Sequence, residues 1–145
     1  MAIWNSELTL EKANSLKPST LLESLDINII EIGDDFIKGD MPVDERTFQP
    51  YRILHGGASV ALAESLGSIG AHLAVDSDRF YCVGMEINAN HIRPATSGRV
   101  VGTARPIHLG RSSHVWSIEI HNEQNKLICV SRITMAVVPK EKLKK

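Results

Sequence analysis

Cysteine is scarce in this chain of 145 residues: there are two, Cys82 and Cys129, neither in CxxC spacing nor beside a histidine. That argues against a disulfide framework or a thiolate metal centre, and both thiols, set in apolar strand-like runs, are expected to be buried and structural. An excess of one charge is also missing. Sixteen Lys and Arg stand against seventeen Asp and Glu, a net charge of −1, which gives no footing to a nucleic-acid or anionic-membrane partner. No apolar run approaches the ~18–20 residues of a membrane span. The opening MAIWNSELTLEK carries acid early and has no basic segment followed by an apolar one, so no signal peptide is read. Repeats, linkers and low-complexity blocks are absent. The expectation is a soluble protein of the reducing cytoplasm.

What is present is globular. Hydrophobic residues make up 43% and charged ones 23%, and a chain of this size buries roughly 70% of its unfolded surface in one core. We expect a single domain over 1–145, with a helical N-terminal segment through residue 25 and a frayed basic tail over 139–145. Leu8 to Leu25 reads as two helical pieces broken at Lys17-Pro18, the second capped by Ser19 or Thr20, with Glu23 closing a capping box. INIIEIG and IKGDMPV read as two strands around a Gly-Asp-Asp turn. Asp44 to Leu54 is a loop, and His55 to about Val75 is one long helix. Strands follow over Phe80–Ile92, Arg99–Ile107, Ser113–His121 and Lys126–Val138. One helix among six strands implies an α+β domain, an antiparallel sheet wrapped around that helix.

The long helix carries one formal charge between Gly56 and Ala74, Glu64. A helix apolar or small on nearly every side is a buried helix. A lone carboxylate in it must be paired, protonated or facing a cleft, and each option except a tight ion pair raises its pKa. Such carboxylates cluster at active sites; the plain alternative is a Glu that points to solvent. Ser68, one turn on, shares the face of Glu64, although a helical Ser more often bonds its own i−4 carbonyl.

Upstream, QPYRILHGG enters the helix. The first amides of a helix lack intrahelical partners and sit at its positive end, and Gly56 and Gly57 let a ligand approach them. Such amides suit a developing oxyanion. His55 at the entrance can donate to the same oxygen or to a leaving group, or it is only a cap. His55 and Glu64 are nine residues apart, roughly 900° of rotation and ~13–14 Å of rise. They point to opposite sides and levels, so a site using both is shared between two subunits of a two-fold dimer.

The run QPYRILHGGASVALAESLGSIGA, with VGMEINANHIRP, PIHLGRSSHVW and KLICVSRIT, resembles the hot-dog-fold acyl-CoA thioesterases over about Trp4 to Val138. More narrowly it is similar to the branch that acts on aromatic acyl-CoAs of the hydroxybenzoyl and hydroxynaphthoyl type, some members of which clear misloaded aryl carrier proteins. The resemblance implies a sheet wrapped around the long helix, and dimers that pair into a dimer of dimers. It implies Glu64 as the catalytic carboxylate, attacking the thioester or activating water, and the Gly56 amide as oxyanion hole. Gln49 and His55 would position the carbonyl and help the thiolate leave. Ser68 matches the serine beside the carboxylate, and His91 a histidine of the acyl pocket. Arg93, His108, Leu109, Gly110 and Arg111 fall where the branch grips the CoA nucleotide. Arginines at strand ends could meet its phosphates.

No histidine pair has convincing metal-ligand context, so a metal-free hydrolase without a cofactor is expected, CoA being part of the substrate. His72, His114 and His121 read as structural or surface residues. Phe48 and Tyr51 border Gln49, Arg52 adds a charge beside the entrance, and these could alter acyl selectivity. The products would be a carboxylic acid and free CoA, or a carrier-protein thiol. A hot-dog hydratase would want an Asp/His pair beside the acyl chain, and none accompanies Glu64. A non-catalytic acyl-CoA-binding module would be favoured by the absence of Glu64.

Overall fold

The computed structural model describes residues 1–5 and 7–141. Two short helices come first, α1 (Leu10–Asn14) and α2 (Leu21–Ser24), then strands β1 (Asn28–Ile32) and β2 (Ile37–Pro42). The long helix α3 (Gly56–Ala74) follows, and β3 (Phe80–His91), β4 (Arg99–Leu109), β5 (Ser113–His121) and β6 (Leu127–Pro139) complete the chain. The strands form one antiparallel sheet in the order β1-β2-β4-β5-β6-β3. It packs around α3, which touches β2 through β6. This is the hot-dog arrangement expected from the sequence.

Pattern and packing agree. In β5 the residues His114, Trp116, Ile118 and Ile120 alternate inward, the period of two of a half-buried strand. Trp116, Ile118 and Ile120 pack in one core with Leu62, Leu66 and Ala71 of α3. Small residues set the depth of the helix: a β-carbon on Gly67 would lie 2.6 Å from Ile133 Cγ2, and one on Gly70 2.9 Å from Trp116. The core therefore closes only with glycine at those two turns. Trp4 stacks on Trp116 with ring centres 6.3 Å apart and donates from Nε1 to Gly33 O at 2.7 Å, tying the N-terminal segment over the core.

Four expectations need correction. The N-terminal helical stretch reduces to helices of five and four residues. Thr20 is the second N-cap, but its hydroxyl donates to Lys17 O at 2.7 Å, and Glu23 Oε2 accepts from the Ser19 amide instead. Thr20's own amide is already bonded to Lys17 O, so it cannot complete a capping box. β4 continues past Ile107 to Leu109 because the pairing shifts between Pro106 and His108, a bulge that absorbs the missing proline N–H. The tail is ordered at its start: Pro139 pairs with Phe80 inside β6, and the Lys140 amide donates to Arg79 O at 2.9 Å. A proline at a strand end forfeits no ladder bond; residues 142–145 of that tail lie outside the described residues. Cys129 is buried and Cys82 half-buried, both free, and burial pushes both thiols up.

Candidate active site

The start of α3 is built as a donor cluster. His55 is its N-cap, in extended backbone, and His55 Nδ1 accepts from the Gly57 amide at 2.8 Å. That bond places the neutral imidazole's proton on Nε2 and uses up the Gly57 amide. The Gly56 amide, first of the helix, has no acceptor among the described residues. His91, the last residue of β3, closes over it: a β-carbon on Gly56 would lie 2.8 Å from His91 Nε2. Gln49 stands beside them, its Oε1 accepting from the Tyr51 amide. This fixes the side-chain orientation and leaves the NH₂ as its free end.

Gln49, Gly56, His91 and Arg93 line one cavity of about 420 Å³, with Ile53, Ile92 and Ile128 as apolar wall. Four of the residues expected in the site are thus brought together. Ser59, which the sequence reading passed over, lines the same cavity and is buried. No carboxylate is among the cavity's lining residues.

Glu64 lies elsewhere. It is half-buried on α3, with no hydrogen bond or ion pair among the described residues, and its Oε1 lies against Gly84 of β3. A β-carbon on Gly84 would be 2.8 Å from that oxygen. Ser68 does not bond its i−4 carbonyl; its Oγ approaches Met135 sulfur at 3.8 Å. It lines a second cavity, about 390 Å³ and largely apolar, with Ile69, Leu73, Cys82 and, from the N-terminal segment, Leu8 and Leu16. His55 borders a third hollow with Phe48 and Ala61. Within one chain the donors at the head of α3 and the carboxylate further along it therefore stand apart.

Between them runs β3, an edge strand with nothing paired on its outer side among the described residues. Val83 and Met85 are 45% and 66% exposed there, and an exposed apolar edge is a template for pairing with another chain.

The residues expected at the nucleotide are divided. Arg93 follows the end of β3, where His91 pairs with Cys129, and its Nη1 donates to Leu127 O at 3.3 Å. His108, Leu109, Gly110 and Arg111 form the β4–β5 hairpin, whose Ser113 pairs with Ala136. Cys129 and Ala136 are roughly 23 Å apart along β6, so one chain does not place both arginines on one nucleotide. Of the other histidines, His72 is exposed and His121 lies 3.9 Å from Glu119. His114 is buried under Trp116, and burial pushes its imidazole down. No cluster of three His, Cys, Asp or Glu able to hold a metal occurs among the described residues, and no helix there is long and apolar enough to cross a membrane.

Residues 51–129 match the sequence profile of the thioesterase superfamily. The chain belongs to this superfamily. A solved thioesterase from Pseudomonas aeruginosa superposes with a TM-score of 0.94 at 47% identity, covering 95% of this chain and 99% of that one. The chain is 48% identical to the 1,4-dihydroxy-2-naphthoyl-CoA hydrolase of Escherichia coli, over 94% of its own length and 99% of the other's. It is 46% identical to the proofreading thioesterase EntH of Cronobacter turicensis, over 94% and 98%. The protein is a thioester hydrolase with a hot-dog fold. Among thioesterase substrates, the carbonyl and leaving sulfur of an acyl thioester suit a donor-rich cavity lined by no carboxylate.

Proposed function

We propose that this thioesterase hydrolyses aromatic acyl-CoA thioesters to the free acid and CoA, in the cytoplasm, as a homodimer with two shared sites that pairs further into a dimer of dimers. Pairing through the β3 edges brings Glu64 of one copy to the donor cluster of the other. The Gly56 amide and the Gln49 NH₂ hold the thioester carbonyl, so that negative charge developing on its oxygen meets preorganised donors at the positive end of α3. Glu64 either takes a proton from the water that attacks the carbonyl carbon, giving the acid directly, or attacks that carbon itself. The second route forms a mixed anhydride that water then cleaves to the acid and free Glu64. The tetrahedral intermediate collapses, the C–S bond breaks, and the Nε2–H of His55 protonates the departing thiolate. His91 lines the acyl side, Ser68 stands near Glu64, and Arg93 and the His108–Arg111 hairpin, from different copies, meet the CoA phosphates. No metal or cofactor has a role in this reading.

The observation that supports it most is the division of labour: an unpartnered carboxylate on Glu64 against Gly84, and a cavity rich in donors with no carboxylate. Similarity to the Escherichia coli hydrolase supports the aromatic acyl class. Similarity to EntH makes a carrier-protein thioester the second substrate to try.

Thiol release from aromatic and aliphatic acyl-CoAs tests the reading, for the parent and for Glu64→Ala. Turnover of aryl-CoAs that collapses by at least ~10³-fold in the variant, and is unchanged by a chelator, supports it. A folded protein that binds CoA but turns over no CoA ester redirects it to carrier-protein substrates. Single turnover in ¹⁸O-labelled water separates the two roles of Glu64: label entering the carboxylate identifies it as nucleophile.

A further inference from the structure

Three serines of α3 treat their hydroxyls differently. A helical serine usually spends its hydroxyl on the carbonyl one turn back. Ser65 does so, donating to Ala61 O at 2.6 Å, and Ser68 rests on Met135 sulfur. Ser59 does neither. Its amide donates to His55 O at 3.2 Å, but its hydroxyl has no partner among the described residues, although the residue is only 2% exposed. The oxygen itself is not sealed off, so a ligand or ordered water can complete its bonding.

The open direction from Ser59 is the cavity it shares with Gln49, Gly56 and His91. Side chains on a helix lean toward its N-terminus, and residues three apart share a face. Ser59 therefore presents its hydroxyl toward the space in front of the Gly56 amide. Two donors line that cavity, the free Gly56 N–H and the Gln49 NH₂, beside the His91 imidazole. A carbonyl oxygen has two lone pairs, and the oxyanion formed from it has three, so a third donor finds its place as charge develops.

We infer that the Ser59 hydroxyl is a third oxyanion donor, bonding the thioester carbonyl oxygen together with the Gly56 amide and the Gln49 NH₂. The inference rests on the reaction proposed above. As the nucleophile adds to the carbonyl carbon, the π pair moves onto oxygen, and Ser59 stabilises that charge through an O–H···O⁻ bond without giving up its proton. When the C–S bond breaks the carbonyl re-forms, and Ser59 is unchanged. Ser59 is thereby a catalytic residue, with a bond that strengthens in the transition state.

The test uses benzoyl-CoA as probe and Glu64→Gln as a background in which the complex persists. Isotope-edited infrared spectroscopy reads the ¹³C=O band of the bound ester. The band lies below that of free benzoyl-CoA in Glu64→Gln, returns part of the way in Glu64→Gln/Ser59→Ala, and stays low with Ser59→Thr, which keeps a hydroxyl. In the Glu64-containing protein, Ser59→Ala lowers kcat by about 10²-fold with KM within about threefold, and Ser59→Thr recovers most of the loss. An unmoved band overturns the inference, even if kcat falls, since the effect would then be one of packing. So does a rise in KM alone, which would place Ser59 on another part of the substrate. If Glu64→Gln turns over like the parent, the role of Glu64 has failed instead, and the kcat–KM split of Ser59→Ala still decides Ser59.

Discussion

Gly84 of β3 and Glu64 of α3 meet so closely that a β-carbon on the glycine would lie 2.8 Å from the carboxylate oxygen. The obstructed atom is the far end of a flexible side chain, so Gly84→Ala moves Glu64 and leaves the fold alone. A displacement near 1 Å at a reacting group costs about 10²-fold in rate. Gly84→Ala should therefore lose roughly that factor in kcat with a melting temperature within ~2 °C of the parent. Unchanged turnover in a steady-state assay would show that Glu64 needs no fixed position.

His55 combines a cap with a proposed acid. His55→Asn keeps a side-chain acceptor for the Gly57 amide, asparagine being a strong N-cap, while removing the Nε2 proton. His55→Ala removes both. The alanine variant should lose on the order of 1 kcal/mol of stability in denaturant titration and the asparagine variant little. Both should lose comparable activity, roughly 10²-fold or more. Activity that follows stability would reduce His55 to a cap.

Shared sites predict complementation. Glu64→Ala and His55→Asn, each inactive alone, can exchange subunits to form mixed dimers with one intact site of two. Random exchange should restore about a quarter of parental activity. A mixture as inactive as its components, with exchange demonstrated by mass spectrometry, would place both residues in one chain's site.

Acid stability should trace to a cluster remote from the cavity. Arg99 bonds Asp26 at 3.1 Å and Asp40 at 3.0 Å, and Lys17 reaches Asp26 at 2.6 Å. Lys17 first, then Arg99, hold the Asp26 carboxyl down to about 2. A carboxyl whose folded pKa lies below its unfolded value of ~3.9 adds stability above pH ~4, and that contribution disappears as pH falls toward 2. Since the pair is partly solvated, the contribution is about 1 kcal/mol. Asp26→Asn should be less stable than the parent by that amount at pH 7 and indistinguishable near pH 2, with unchanged thioesterase activity at neutral pH.

The fold was legible wherever the hydrophobic period was unbroken. The two strands before the helix, the helix itself and the four strands after it all stand where periodicity put them, because each is long enough for its burial pattern to dominate. The short helices were overestimated, since capping signals at Ser19, Thr20 and Glu23 do not reveal which amide is already taken. The strand extension past Pro106 depends on a bulge, a register event with no local signature.

The candidate site was legible in its residue types and less so in its arrangement. Glu64 stood out by isolation, and Gly56 by its place at a helix start. Ser59 was invisible, because a serine in a helix looks the same whether or not its hydroxyl is spent on the backbone. Gly84 likewise gives no sign in sequence that a carboxylate lies over it, and the separation of Arg93 from Arg111 follows from strand order alone.

The unpaired outer side of β3 has a kinetic consequence. If a copy contributes only half of each site, an isolated chain cannot turn over, and specific activity falls on dilution below the dimer dissociation constant. A newly made chain would then leave acyl thioesters intact until it met its twin.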